Sequence, residues 1–105
     1  MKIDQYLVSA LQANASDLHF VSGDPVRARV HGSLREMANE TLTTEHVREC
    51  MQEIMDGTTQ AHFDQEDAAD FAYEIEEVSR FRVNVFRHLN GIGAIFRAIP
   101  SNALT

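Results

Sequence analysis

The stretch RFRVNVFRHLNGIGAIFRAI, residues 80–99, carries the clearest fold signal in the chain. Its first half alternates apolar and polar residues, as a strand with one buried face does. Asn90 and Gly91 follow, and this dipeptide is a strong hairpin signal because both residues tolerate a positive φ. We therefore predict that residues 92–99 form a strand that returns beside the first, and that Pro100 ends it.

The same period of two occurs in three earlier segments. Residues 18–20 and 26–30 alternate apolar with polar or charged side chains, and residues 70–75 do so again. The dipeptide Gly32-Ser33 predicts a tight hairpin turn into a further strand near 34–38. Six short strands joined mostly by tight turns predict a largely antiparallel sheet.

Segments with helical spacing lie before the first strand and between the third and fourth strands. Apolar residues recur every three or four positions over 2–13, which predicts a first helix. Thr43 or Thr44 can cap a second helix, which we expect to end at a left-handed Gly57. A further helical segment passes through residues 60–63. The predicted fold is therefore α+β, with helices packed on one face of a mostly antiparallel sheet.

Composition excludes several classes of protein. The chain has 105 residues, enough for one domain, and its net charge of −7 argues against nucleic-acid binding, which depends on Lys and Arg. No apolar run approaches the ~20 residues of a membrane span, and the N-terminus lacks a secretion-signal profile. Because the single cysteine, Cys50, excludes an internal disulfide, we expect a protein of a reducing compartment, the cytosol.

Patterns for metal binding and catalysis are weak. His46 and Cys50 lie one helical turn apart, but Cys50 falls on the apolar stripe of the second helix. The acidic stretch 64–77 lacks the Gly that a calcium loop needs. No Gly-x-Ser-x-Gly motif and no phosphate loop occurs in the chain. We expect no metal site and no catalytic residue here.

The arginines of the second strand group give the best functional signal. Arg80 and Arg82 share one face of a strand, and Arg97 lies on the strand predicted beside it. This face is either solvated or neutralised by Asp70 and Glu74 on the preceding strand, since cross-strand charge pairs are common. Alternatively, the guanidinium groups contact an anion such as a phosphate. Spacing alone leaves both interpretations open.

Five segments of the chain are similar, in order, to motifs of PilT-type twitching-motility ATPases, the motors that retract type IV pili. They are ASDLHF at 15–20, RVHG at 29–32, DFAYE at 70–74, RFRVNVF at 80–86 and GIGAIFRAIPS at 91–101. The resemblance covers nearly the whole chain and extends to the related type II and type IV secretion ATPases.

This resemblance implies that residues 1–100 form a PAS-like N-terminal domain and that residues 101–105 begin a linker to a RecA-like ATPase domain. The resemblance also implies a ring of six subunits. In each subunit, ATP and Mg²⁺ lie in the cleft between the two domains, and N-terminal arginines approach the phosphates. Carried over by motif, Arg82 and Arg97 are the first candidates for this phosphate contact, with Arg80 close behind. Neighbouring subunits and an inner-membrane pilus platform protein are the implied partners, at the cytoplasmic side of the inner membrane.

Two positions depart from the family pattern, and one motif is missing. Asn90 stands where relatives often carry Arg or Lys, which weakens the case for basic contacts at that turn, and His31 replaces a hairpin Asp. Because the chain has no phosphate loop, we expect it to bind no cofactor and hydrolyse no ATP by itself, while the full-length protein is an ATPase. A free-standing PAS-like ligand-binding or oligomerisation module of a pilus or secretion system is the alternative.

Overall fold

A computed structural model describes residues 1–89 and 91–99 of the chain. Helices and strands follow the predicted order of one helix, three strands, one or two helices and three strands, and the middle segment contains two helices. They are α1 (Asp4–Gln12), β1 (Ala15–Val21), β2 (Pro25–Val30), β3 (Ser33–Thr41), α2 (Thr44–Ile54), α3 (Gly57–Glu66), β4 (Ala68–Ile75), β5 (Ser79–His88) and β6 (Gly91–Ile99).

The strands form one six-stranded sheet in the order β3-β2-β1-β6-β5-β4. Every neighbouring pair is antiparallel. Two meanders of three consecutive strands therefore meet where β1 pairs with β6. This pairing joins the start of the chain to its end and places β1, β6 and β5 near the middle of the sheet.

The hydrophobic core lies between one face of the sheet and the three helices. Leu18, Phe20, Val83 and Phe96 project from the strands into it and are at most 1% exposed. Each helix adds buried side chains to the same cluster. They are Leu7 and Ala10 of α1, Val47, Cys50 and Met51 of α2, and Phe63 of α3. This arrangement confirms the predicted α+β fold with helices on one face of an antiparallel sheet.

Side-chain caps define the starts of α2 and α3. The Thr43 hydroxyl accepts a hydrogen bond from the His46 amide at 3.1 Å, so Thr43 rather than Thr44 is the cap. The predicted left-handed Gly57 is wrong. Met55 is extended and ends α2, and the Asp56 carboxylate caps a new helix that begins at Gly57 itself. Gly57 is helical because the next helix starts at once.

The first hairpin turn lies one residue earlier than predicted. Val30 pairs with Ser33, so the two central residues are His31 and Gly32, with φ of 51° and 81°. Positive φ at both positions is typical of the tight turn that follows strand twist, and His adopts it more readily than most residues. The predicted Gly32-Ser33 turn is therefore corrected to His31-Gly32.

The second hairpin and the C-terminus are described only in part. Gly91 has a φ of 126°, which agrees with the positive φ expected of a hairpin turn at this position. Asn90, Pro100 and the predicted linker 101–105 lie outside the described residues.

Candidate functional site

The face of the sheet opposite the helices, which we call the open face, carries five of the eight arginines in the chain. Side chains alternate between the two faces along each strand, and the residues next to these arginines point into the core, so the arginines point to the open face. These arginines are Arg27 and Arg29 on β2, Arg80 and Arg82 on β5 and Arg97 on β6.

Arg82 and Arg97 face each other across two neighbouring strands. They are direct register partners across β5 and β6, and both side chains are exposed. In antiparallel sheets the Cβ atoms of such partners are about 4.5–5.5 Å apart, so two cations in this position repel each other. A shallow hollow of about 220 Å³ lies beside them, lined by Asp70, Arg82, Asn84, Ile95 and Arg97.

Arg80 lies further along the same face of β5. Its register partners are Glu74 on one side and Ile99 on the other. Arg80 therefore has an acidic neighbour across the strands, whereas Arg82 stands between Ala72 and Arg97. The structure thus makes Arg82 and Arg97 register partners and places Arg80 two residues away from Arg82 on β5.

The carboxylates expected to neutralise Arg82 are engaged differently. Asp70 accepts a hydrogen bond from the Asn84 amide at 2.7 Å. Within residues 1–89 and 91–99, no hydrogen bond or ion pair is made by the Arg82 side chain. The positive charge of Arg82 is consequently left available on the surface.

The acidic partner of Arg97 is Asp17, which the sequence interpretation did not single out. Arg97 Nε donates to Asp17 Oδ1 at 3.1 Å, and Arg29 Nε lies 3.5 Å from Asp17 Oδ2. A signal for this contact was present, because Asp17 occupies the polar face of β1 within the ASDLHF segment. Its two neighbours, however, depend on strand order.

The surroundings of His46 and Cys50 do not favour a metal site or a nucleophile at this pair. The Cys50 Sγ lies 3.9 Å from His46 Nε2, which is also 3.2 Å from the Tyr6 hydroxyl. Burial raises the pKa of the Cys50 thiol to about 11, so the thiolate needed for metal binding or nucleophilic attack is disfavoured. Over the described ranges, no cluster of three or more His, Cys, Asp or Glu side chains has the arrangement of a metal site.

Comparison with known proteins shows that the sequence and fold of this chain are similar to those of one group of motors. The type IV pilus retraction ATPase PilT of Pseudomonas aeruginosa is 37% identical over all 105 residues, which correspond to 30% of its length. A twitching motility protein of Neisseria gonorrhoeae is 32% identical over 97 residues, or 92% of this chain and 26% of the relative. A crystal structure of the pilus retraction motor PilT with bound ADP superposes with a TM-score of 0.86, at 25% identity, over 93% of this chain and 29% of that one.

The chain is similar to the N-terminal domain of PilT-type pilus retraction ATPases. The resemblance noted from the five sequence segments is thereby confirmed. This chain spans less than a third of the length of these relatives. No protein-family model matches it. Across the part of the chain that the structure describes, no helix has the length and apolar character to span a membrane.

Proposed function

We propose that this chain is the N-terminal domain of a type IV pilus retraction ATPase and that Arg82 and Arg97 contact the phosphates of its bound nucleotide. The pairing of these two arginines on the exposed face of the sheet carries the proposal. Asp17 contacts Arg97 but is shared with Arg29, and the described residues give the Arg82 side chain no acidic contact, so a bound anion would compensate the remaining positive charge. A phosphate contact by a charged donor is worth about 1.5–3 kcal/mol.

The domain contributes charge to the reaction in this proposal and leaves the chemistry to a motor domain. The phosphate loop, ATP and Mg²⁺ belong to that second domain, and Arg82 and Arg97 reach the phosphates from across the cleft. In other phosphotransferases, an arginine delivered to the transferring phosphoryl group raises the rate by about 10³–10⁵. The same arrangement implies a cytoplasmic hexamer in which this domain packs on a neighbouring subunit and which acts on a pilus platform protein at the inner membrane.

The test is steady-state phosphate release by the protein encoded by the complete reading frame. We expect Arg82→Gln and Arg97→Gln each to lower kcat by at least about tenfold, because each removes one charged contact. Arg80→Gln is expected to have a smaller effect, since Arg80 has Glu74 as a cross-strand neighbour. The 105-residue chain alone is expected to release no phosphate above a buffer blank.

Arg35→Gln is the matched control for these variants. Arg35 is an exposed arginine of β3, and its register partner Ala28 is buried in the core, so it lies on the helix side of the sheet. Unchanged turnover in Arg82→Gln and Arg97→Gln would contradict the phosphate role. A reading frame that closes at Thr105 would instead favour the free-standing ligand-binding or oligomerisation module.

A further inference from the structure

Asp17 is a buried carboxylate in the middle of an otherwise accessible face. The residue is 8% exposed and, of the residues that the structure describes, is the one charged side chain in the buried class. Its register partners are Arg29 on β2 and Arg97 on β6, so an arginine flanks it on each side. Burial of a carboxylate is costly unless cations compensate it, which these two do.

Both carboxylate oxygens of Asp17 are engaged, and this fixes the orientation of the group. Oδ1 accepts from Arg97 Nε at 3.1 Å, while Oδ2 lies 3.5 Å from Arg29 Nε. Arg29 also has a backbone contact, because its Nη1 donates a hydrogen bond to the Gly32 carbonyl at 3.2 Å. A chain of contacts therefore runs from the first hairpin turn through Arg29 and Asp17 to Arg97.

The contact with Asp17 uses only one of the three guanidinium nitrogens of Arg97. The side chain of Arg97 is 72% exposed, and its described polar contacts are those of Nε with Asp17. A guanidinium is a rigid planar fork, so fixing Nε also fixes the direction of the two terminal nitrogens. Those two nitrogens are the pair that suits two oxygens of a phosphate.

From this geometry we infer that Asp17 is a positioning residue, which holds the Arg97 guanidinium in one orientation on the open face so that its two terminal nitrogens can bind a phosphate. The inference rests on the phosphate role proposed above and adds a residue that does not touch the phosphate. Asp17 lies on the β1 side of Arg97 and Arg82 on the β5 side, so the contact with Asp17 draws Arg97 away from the like charge of Arg82. Without Asp17, the Arg97 side chain samples several rotamers. The anion would then have to order the side chain as it binds.

A different role for Asp17 would have the opposite sign. If its negative charge only weakened the positive field of the arginines, removing that charge would tighten the binding of an anion. If Asp17 positions Arg97, removing it weakens binding although the site becomes more positive. The direction of the change in Kd therefore separates the two roles.

The experiment follows side-chain NMR signals of the 105-residue chain during titration with tripolyphosphate, which probes weak anion binding by the arginines themselves, without a phosphate loop. The matched variants are Asp17→Asn and Asp24→Asn. Asp24 is also a carboxylate paired to an open-face arginine, Arg27, at 3.7 Å, so its variant makes the same charge change away from Arg97. The exchange of the Arg97 Nε proton with solvent is measured without ligand, and Kd is measured from the Arg82 and Arg97 shifts.

We expect Asp17→Asn to speed exchange of the Arg97 Nε proton by about tenfold or more and to raise Kd by about 3–10-fold. Asp24→Asn should leave exchange unchanged and lower Kd slightly. Unaltered exchange in Asp17→Asn, or binding that tightens as in Asp24→Asn, would overturn the inference. If Asp17→Asn speeds exchange of the Arg97 Nε proton but Arg82 and Arg97 of the wild type do not respond to tripolyphosphate, the anchoring of Arg97 stands and the inference that it serves anion binding is overturned. The phosphate role in the full-length protein is judged separately, by the turnover of Arg82→Gln and Arg97→Gln.

Asp17→Glu keeps the inference testable if the Asn variant unfolds. It retains the charge but moves the carboxylate by one methylene. A positioning role predicts weaker binding than in the wild type, whereas a role through charge alone predicts an unchanged Kd. Backbone amide spectra of each variant establish that the sheet is intact.

Discussion

The two faces of the sheet are built from the same strands but differ in what holds them and in what they offer to a partner. On the helix-bearing face, Val83 and Phe96 are register partners that are fully or almost fully buried. One residue away on the same strands, Arg82 and Arg97 are register partners exposed on the open face. Strand parity thus separates the residues that stabilise the fold from those available for binding.

The largest effect that this comparison predicts is on the free energy of unfolding. Phe96→Ala should lower it by about 3–5 kcal/mol, because a fully buried ring is replaced by a cavity. Arg82→Gln should change it by no more than about 0.5 kcal/mol, since the described structure gives that side chain no ion pair. Urea unfolding of both variants measures the difference, and equal losses would show that the two faces do not divide these roles.

A second, smaller effect marks a place where the open face is closely packed. Gly93 is buried beneath the ring of Phe86, its register partner, and an added Cβ would lie 2.7 Å from a ring carbon. Val21 is close on the other side, at 3.2 Å. We expect Gly93→Ala to cost about 1–3 kcal/mol because the ring must move.

The double variant Gly93→Ala with Phe86→Ala gives the control for this prediction. Once the ring is absent, the two closest contacts of the added methyl group are removed, so the extra cost of Gly93→Ala should largely disappear. A denaturant-based double-mutant cycle measures the coupling between the two positions. Equal costs of Gly93→Ala with and without the ring would mean that Phe86 does not constrain this site.

The smallest predicted effect concerns the exposed start of α3 on the helix-bearing side. Hydrogen bonds from Thr59 lower the pKa of Asp56 below its ordinary value of 3.8. A lowered folded-state pKa means that the stabilisation is present above the unfolded pKa and is lost as pH falls through the folded one. The Tm advantage of the wild type over Asp56→Asn should therefore be greatest near pH 7 and shrink below about pH 4.

Melting curves at pH 7 and pH 3 check this expectation. Asn remains a good N-cap, so the comparison isolates the charge of Asp56 from the cap itself. Asp64→Asn, at an exposed position of the same helix, is the control for a change in net charge, because Asn can still accept the hydrogen bond from the Gln60 amide. A Tm difference between wild type and Asp56→Asn that stays constant over this range would show that the carboxylate does not gain from its charge.

Several features could be predicted from sequence because they depend on short-range periodicity. Alternation placed the strands, and the apolar stripe over residues 47–55 placed α2. The two errors arose where local signals compete. Gly57 can end one helix or begin another, and the Asp56 cap decided in favour of the second. His31-Gly32 and Gly32-Ser33 are both feasible turns, and the pairing of Val30 with Ser33 selected the first.

The candidate site was predictable in part for the same reason. Arg80 and Arg82 share a face by parity, and the hairpin signal brought Arg97 beside them. Their roles at a nucleotide remain a proposal. The neutralising partner could not be read from the sequence, because Asp70 and Glu74 are nearer along the chain than the residue that actually pairs with Arg97.

By itself, the sequence determined which side chains share a face of each strand, and therefore that the arginines lie opposite the core. Only the tertiary structure decided that Asp17 stands between Arg29 and Arg97. The physical reason is that β1 and β6 are hydrogen-bonded neighbours although Asp17 and Arg97 are 80 residues apart. Periodicity has no information about strand order at that range, and closing the sheet around a common core supplies it.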